Sequence, residues 1–294
     1  MPSPSAPISC GIAGWSYPDW AGYVFPRGTR DTLRYIAPYM DCIEINTTFY
    51  RPPDPRTVQA WERRTRDLPR FFFTAKLHQD VTHRGEVDPA AAAGFHMAMA
   101  PLSESGRLRH LLAQFRYDFD DTPARRDHLA RIRDAYGAPA TLTLELRHRS
   151  WQEPASLAFL RGLGVSVANL DYPTARDSFD MPVSGVGDHA YLRLHGRNAA
   201  AWFHKGAGRN DTYNYLYDRT ELEGIARRAM QIASLSKTVT LIANNHYRGK
   251  EAANALELKA LLAGERVDVP PLLLHHYPQL QAAAKPAIKP DLFA

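Results

Sequence analysis

Short apolar runs alternate along this chain with segments of helical spacing. The runs are ISCGIAG (residues 8–14), DCIEIN (41–46), RFFFTAK (70–76), HLLAQF (110–115), TLTLEL (141–146), GVSVANL (164–170), AYLRLHG (190–196) and TVTLIAN (238–244). Between them, apolar residues step by three and four: Leu33, Ile36 and Met40; Leu129, Ile132 and Tyr136; Leu222, Ile225, Ala229 and Ile232. Asp54-Pro55, Asp88-Pro89 and Thr122-Pro123 each set a capping side chain before a proline, a helix start. Pro154 opens another helix, and a last one is expected over 250–262.

Eight rounds of strand then helix imply parallel strands joined by crossover helices. Eight is the repeat of a (β/α)8 TIM barrel, an α/β fold. A doubly wound open sheet is the alternative, but GIAGWSY lacks its GxGxxG fingerprint. The chain of 294 residues therefore reads as a single domain with its core over 8–262. The tail, 264–294, is expected to wrap the barrel or hang free.

In a barrel, alternate residues point inward, and sites form at the C-terminal strand ends. Glu44 and Asn46 share a face, followed by Thr48 and Tyr50. The third strand offers Thr74, Lys76 and His78 on one parity, the fourth Gln114, the fifth Thr143, Glu145 and Arg147. The sixth closes on Asn169 and Asp171, the seventh on Arg193 and His195. The eighth ends in Asn244 and Asn245, of which only one can face in. The opposite parity is apolar: Ile43, Ile45, Phe73, Ala75, Leu142, Leu144, Leu192 and Leu194.

A ring of polar groups on an inner face has two explanations. One is a satisfied ion-pair network, with Glu44, Glu145 and Asp171 against Lys76, Arg147 and Arg193. Burying even one ion costs several kcal/mol before pairing offsets it, and apolar packing holds a barrel together without that cost. The ring is therefore read as a site, with Glu44 expected to pair with Lys76 or an arginine. Loops add Trp15, Tyr17, His83, His148 and Trp151, and 198–214 is long enough to be a lid. Trp15 and Trp151 would equally serve as plugs of the barrel mouth.

Charge changes this picture little. The formal net charge is +5, which permits an anionic ligand or nucleic acid without demanding either. Cys10 and Cys42 are too few for a disulfide framework and read as small buried residues. MPSPSAPISC is not a secretory signal, and no run is long enough to span a membrane, so a soluble cytoplasmic protein with no membrane partner is expected.

GIAGWSYPDW, IEINTTFYRPP, FFFTAKLHQDVTH, LELRHRSW, YLRLHG and ANNHYRGKEAANALEL occur in that order. Together they resemble the YecE-like family, domain of unknown function 72, over residues 8–262. The resemblance implies a TIM barrel and names no activity. It picks out Trp15, Tyr17, Glu44, Asn46, Thr48, Tyr50, Lys76, His83, Arg147, His148, Trp151, Arg193, His195, Gly196, Asn244 and Asn245. Where the family pattern has a Gln-Leu-Pro-Pro-like turn after the fourth strand, this chain has QFRYDF. Gln114 stays, but Arg116 and Tyr117 alter the mouth there.

Three chemistries compete. A metal hydrolase or isomerase, of endonuclease IV or xylose isomerase type, would use a divalent ion on Glu145, Asp171 and His195. Lys76, Arg147 and Arg193 would repel that ion. Metal-free, cofactor-free acid–base chemistry is preferred. Glu44, Lys76, Glu145, Asp171 and His195 are then the catalytic candidates. Trp15, Tyr17, Asn46, Tyr50, His78, His83, Gln114, Arg147, Trp151, Arg193, Asn244 and Asn245 would bind substrate, the arginines gripping phosphate or carboxylate. A lysine paired to Glu44 would stay protonated and make a poor nucleophile. The ligand is thus expected to be a small anionic or sugar-like molecule, the enzyme a hydrolase or a lyase/isomerase. A glycosidase would need Glu44 and Glu145 facing across a sugar. The third option is a module that binds nucleic acid without turning it over.

Overall fold

The computed structural model describes residues 5–286. Its strands are β1 (Ile8–Ala13), β2 (Cys42–Ile45), β3 (Phe72–Lys76), β4 (Leu108–Gln114), β5 (Thr141–Glu145), β6 (Ser166–Val167), β7 (Asn169–Asp171), β8 (His189–Leu194) and β9 (Thr238–Ala243). All pairs are parallel, in the order β6-β5-β4-β3-β2-β1-β9-β8-β7. The two edge strands, β6 and β7, are consecutive pieces of the expected sixth strand. Only Ala168 separates them, and its N–H donates to Leu144. The sheet thus nearly closes into a TIM-like barrel.

The helices are α1 (Thr32–Ile36), α2 (Pro55–Thr65), α3 (Pro89–Glu104), α4 (Pro123–Tyr136), α5 (Pro154–Leu163), α6 (Ala199–Trp202), α7 (Arg209–Thr212), α8 (Arg219–Ala233), α9 (Lys250–Ala263) and α10 (Pro271–His276). The capping prolines act as expected. Asp54 accepts from Thr57 N, Asp88 from Ala90 and Ala91 N, and Thr122 from Arg125 N, each satisfying N–H groups that a first turn leaves unpaired. The tail wraps the barrel as far as it is described. Leu273, Tyr277 and Leu280 are buried, and Tyr277 Oη donates to Arg248 O. Residues 287–294 lie outside the described part.

The strand faces separate cleanly. Ile43, Ile45, Phe73, Ala75, Leu142 and Leu144 pack outward against helices, as do Leu192 and Leu194 on the other flank. A small inner core of Ala13, Cys42, Phe72, Leu112, Ala168, Leu170, Tyr191 and Ile242 fills the barrel. Below the mouth, His110 bridges Thr143 (2.9 Å) and Thr240 (3.2 Å), and burial drops its pKa to about 3. The lower barrel is therefore a packed, hydrogen-bonded plug rather than a pore.

The sixth strand corrects the expected parity. Leu170 lies opposite inward Arg193, while Asn169 and Asp171 lie opposite outward Leu192 and Leu194. Side chains alternate along a strand, so Asp171 leaves the barrel interior. Its carboxylate takes two hydrogen bonds from Arg197 (2.9 and 2.7 Å) and one from Tyr217 Oη (2.8 Å). Asn169 is spent on Tyr191 O and Ser184 N.

Candidate active site at the strand C-termini

β8 delivers Arg193 into the barrel axis, where it is 2% exposed. A guanidinium there is tolerable only if every edge meets an acceptor. Glu44 from β2 takes the Nη2 and Nε edge, at 2.7 and 3.2 Å. Glu145 from β5 takes Nη1 at 2.9 Å, and Gln114 Oε1 from β4 adds a contact at 3.2 Å. Tyr191, two residues earlier and so below Arg193, donates to Glu44 at 2.8 Å and meets Thr74 at 2.9 Å. Arg147 caps the network: its Nη2 and Nε both donate to Glu145 Oε1, at 2.6 and 2.9 Å. Two carboxylates thus meet two guanidiniums, and the centre is charge-balanced. Burial alone would raise the Glu145 carboxyl, but Arg193 and then Arg147 outweigh it and hold it well below the usual range.

His195 sits beside this network, fully buried. Asn244 Nδ2 meets its Nδ1 at 3.1 Å, and its Nε2 faces Glu145 Oε1 at 3.4 Å and Arg193 Nη1 at 3.5 Å. Burial drives its pKa to about 4 despite the nearby Glu145, so the ring is neutral at pH 7.

Of the partners expected for Glu44, Lys76 or an arginine, the arginine is the one found. Arg193, not Lys76, holds Glu44. No carboxylate among the described residues pairs with Lys76 Nζ, which stands 4.2 Å from the Phe49 ring centre. Burial, reinforced by repulsion from Arg193, lowers its pKa to about 7, with Glu44 and Glu145 only partly offsetting. The site therefore holds fixed charges that cancel, plus one amine that titrates near neutrality.

Above lies a cavity of about 1060 Å3 lined by Arg147, His148, Tyr172, Arg176, Trp202, Lys205 and Tyr213, among others. The segment between Gly196 and Tyr217 forms its roof. Gly196 makes this turn at φ 86°, and a Cβ there would lie 2.7 Å from Tyr215 Cβ, so only glycine fits. α6 brings Trp202 to 5.7 Å from the His195 ring and 5.5 Å from Arg147. Tyr213, just past α7, bridges His195 (6.3 Å) and His246 (5.2 Å). Arg209 of α7 lies over Tyr17 at 5.5 Å.

The remaining expected residues divide. Asn46 donates to Ala13 O at 3.0 Å at the rim, and Tyr17 stacks on His246 at 4.5 Å. Tyr50 is exposed and meets Phe49, which also touches His83 at 5.1 Å; these surround the Lys76 side of the mouth. His83 lines an adjoining groove of about 470 Å3 with Arg116 and Arg131. His78 is tied to Asp80 at 3.2 Å. Asn244 is the inward member of its pair, whereas Asn245 turns out to Tyr215 O and Asn254. Trp151 is fully buried in the outer core, stacked on Phe119 with Nε1 donating to Phe119 O, and Trp15 packs on Trp61 and Phe73. Both tryptophans support the wall instead of facing the cavity. With Asp171 outside, the alternative metal set of Glu145, Asp171 and His195 does not assemble. No other group of three His, Cys, Asp or Glu side chains among the described residues could hold an ion.

The sequence reading missed Glu251 and His246. Both are buried; the His246 ring nitrogens have no hydrogen-bond partner among the described residues, and the Glu251 carboxyl has no side-chain partner there, with the Ala13 backbone beside it. Burial first, and Glu44 in addition, hold Glu251 well above the carboxylate range; burial takes His246 to about 3. Their signal lay in the quoted stretch ANNHYRGKE, where a histidine and an acid follow the last strand directly.

Fold and site define a parallel eightfold barrel with a buried, polar, charge-balanced centre at its C-terminal face. The model of the family described as "Protein of unknown function DUF72" matches residues 9–280, and the chain belongs to that family. A DUF72 family protein of Thermotoga maritima is 30% identical, with a TM-score of 0.76 over 87% of this chain and 99% of that one. One from Enterococcus faecalis V583 is 26% identical, with a TM-score of 0.77 over 90% and 98%. The UPF0759 protein YecE of Escherichia coli K12 is 34% identical over 77 residues, a stretch covering 26% of each chain. No helix among the described residues is long and apolar enough to cross a membrane.

Proposed function

We propose that this barrel carries out metal-independent acid–base chemistry on a small substrate bearing phosphate or carboxylate. The observation that carries the reading is Lys76: a buried amine without a counter-ion, beside a network whose own charges cancel. An amine near its pKa at pH 7 gives and takes protons with least cost. Arg147 Nη1 makes no hydrogen bond among the described residues and borders the cavity, so it is the donor available to a substrate anion. Arg193 is fully spent on Glu44, Glu145 and Gln114; its part is to hold the two carboxylates and not to grip substrate. The glycosidase alternative finds little support, because the Arg193 guanidinium lies between the two carboxylates where a sugar would have to pass.

A second reading, binding of a nucleic-acid strand, draws on exposed Tyr117 and Phe203, which border the cavity near Arg176 and Lys205. Thermal stability measured with EDTA and a panel of phosphate, sulfate, carboxylates and sugar phosphates separates the two. The proposal expects small anions to stabilise the protein without divalent ions, and Arg147→Met to abolish the effect. It fails if no anion stabilises, or if stabilisation requires a metal. Steeply salt-dependent binding of oligonucleotides alone would favour the second reading.

A further inference from the structure

The geometry points to Lys76 as a covalent group: its amine condenses with the carbonyl of a substrate whose carboxylate or phosphate is held by Arg147. This rests on the reading of the cavity as an anion site and adds the substrate class, a ketone or aldehyde carrying an anionic group.

Three placements support it. Lys76 ends β3 on the inner face, and its backbone is fixed by Thr48 Oγ1 donating to Lys76 O at 2.6 Å, so the side chain rises from a rigid base. Its Nζ has no hydrogen-bond or ion-pair partner among the described residues, so condensation breaks neither kind of contact. It stands against the Phe49 ring, 4.2 Å from its centre. Glu44, Glu145, Arg193 and Arg147 face it from β2, β5, β8 and the end of β5, and His83 lies across Phe49. The free amine attacks the carbonyl carbon and gives a carbinolamine. The proton that the ammonium gave up is returned to the hydroxyl, which leaves as water, and a protonated imine remains. Summed from the ammonium form, R–NH3+ and O=CR2 yield R–NH+=CR2 and H2O, so atoms and charge balance with no co-reactant. The imine carries the same single charge as the ammonium, and the charge count of the centre does not change. At pH 7, an amine with a pKa of about 7 has roughly a thousand-fold more free base than an ordinary lysine.

The test is borohydride trapping on the intact protein. Pyruvate, dihydroxyacetone phosphate and pyridoxal 5′-phosphate are each added near neutral pH, the imine is reduced to a secondary amine, and adducts are mapped by peptide mass spectrometry. Lys76 is expected to be modified about ten-fold or more above Lys205, Lys250 or any other lysine. Inorganic phosphate should protect it, and Arg147→Met should lower the yield. Modification spread evenly over the lysines, with phosphate still stabilising the wild-type protein, overturns the covalent step and leaves the anion site standing. Neither stabilisation by phosphate nor trapping at Lys76 overturns both.

Discussion

Replacing Lys76 by methionine should stabilise this protein, and by an amount that depends on pH. Lys76 is buried, and the folded state lowers its pKa from 10.5 to about 7. Between those values the unfolded chain carries a proton on this residue that the folded chain has lost. Stability therefore climbs with pH across the window, by about 1.4 kcal/mol per pH unit at most. Below about pH 7 the folded protein bears the whole burden of a buried ammonium, on the order of 4–5 kcal/mol from the size of the shift. Methionine fills much the same volume and brings no charge. Wild-type and Lys76→Met proteins share every other titrating group, so the difference between their denaturant-unfolding free energies isolates this one. That difference should favour the variant at pH 7 and shrink steadily as pH rises toward 10. A difference that stays flat would mean that Lys76 titrates normally, and the reasoning from its missing partner would be wrong.

Glu44→Gln should act oppositely. It removes the fork from Arg193 and weakens the bond from Tyr191, and breaking a buried pair costs about 3 kcal/mol or more; a loss below about 1 kcal/mol in urea unfolding would show that the network is not structural. Asp171→Asn should lower stability by about 1–3 kcal/mol through its Arg197 and Tyr217 bonds, while anion binding in the cavity is unchanged. Lost binding with normal stability would return Asp171 to the site. Replacing 198–214 by a short linker should weaken ligand binding, because Trp202 and Tyr213 leave the roof of the cavity; equal affinity would refute a lid.

Most of the barrel was legible because its two faces obey different chemistry. Leu142 and Leu144 against Thr143 and Glu145 is a period of two that no helix produces. The same alternation placed Glu44, Lys76, Glu145, Arg193 and His195 together on the inner face, buried beneath the mouth. The sixth strand was misread through its last residues. Asn169 and Asp171 looked inward because they are polar, yet they share parity with Val165 and Val167, which pack outward. Polarity outside the barrel became affordable there through Arg197 and Tyr217, long-range partners that no local pattern shows. The Glu44 partner was ambiguous for the same reason. Lys76 and Arg193 are both inward cations, and only the sheet closure, which sets β8 across from β2, gives Arg193 the fork. Trp151 showed no distinguishing signal, since a plug and a substrate platform look alike until Phe119 is found stacked on it.

The most direct measurement is a crystal structure of protein purified without chelator and grown from phosphate, with anomalous data collected over the barrel mouth. The account predicts a tetrahedral anion on Arg147 Nη1, within reach of Lys76, and no anomalous peak between Glu145 and His195. A metal ion coordinated there, with Lys76 drawn away, would contradict it.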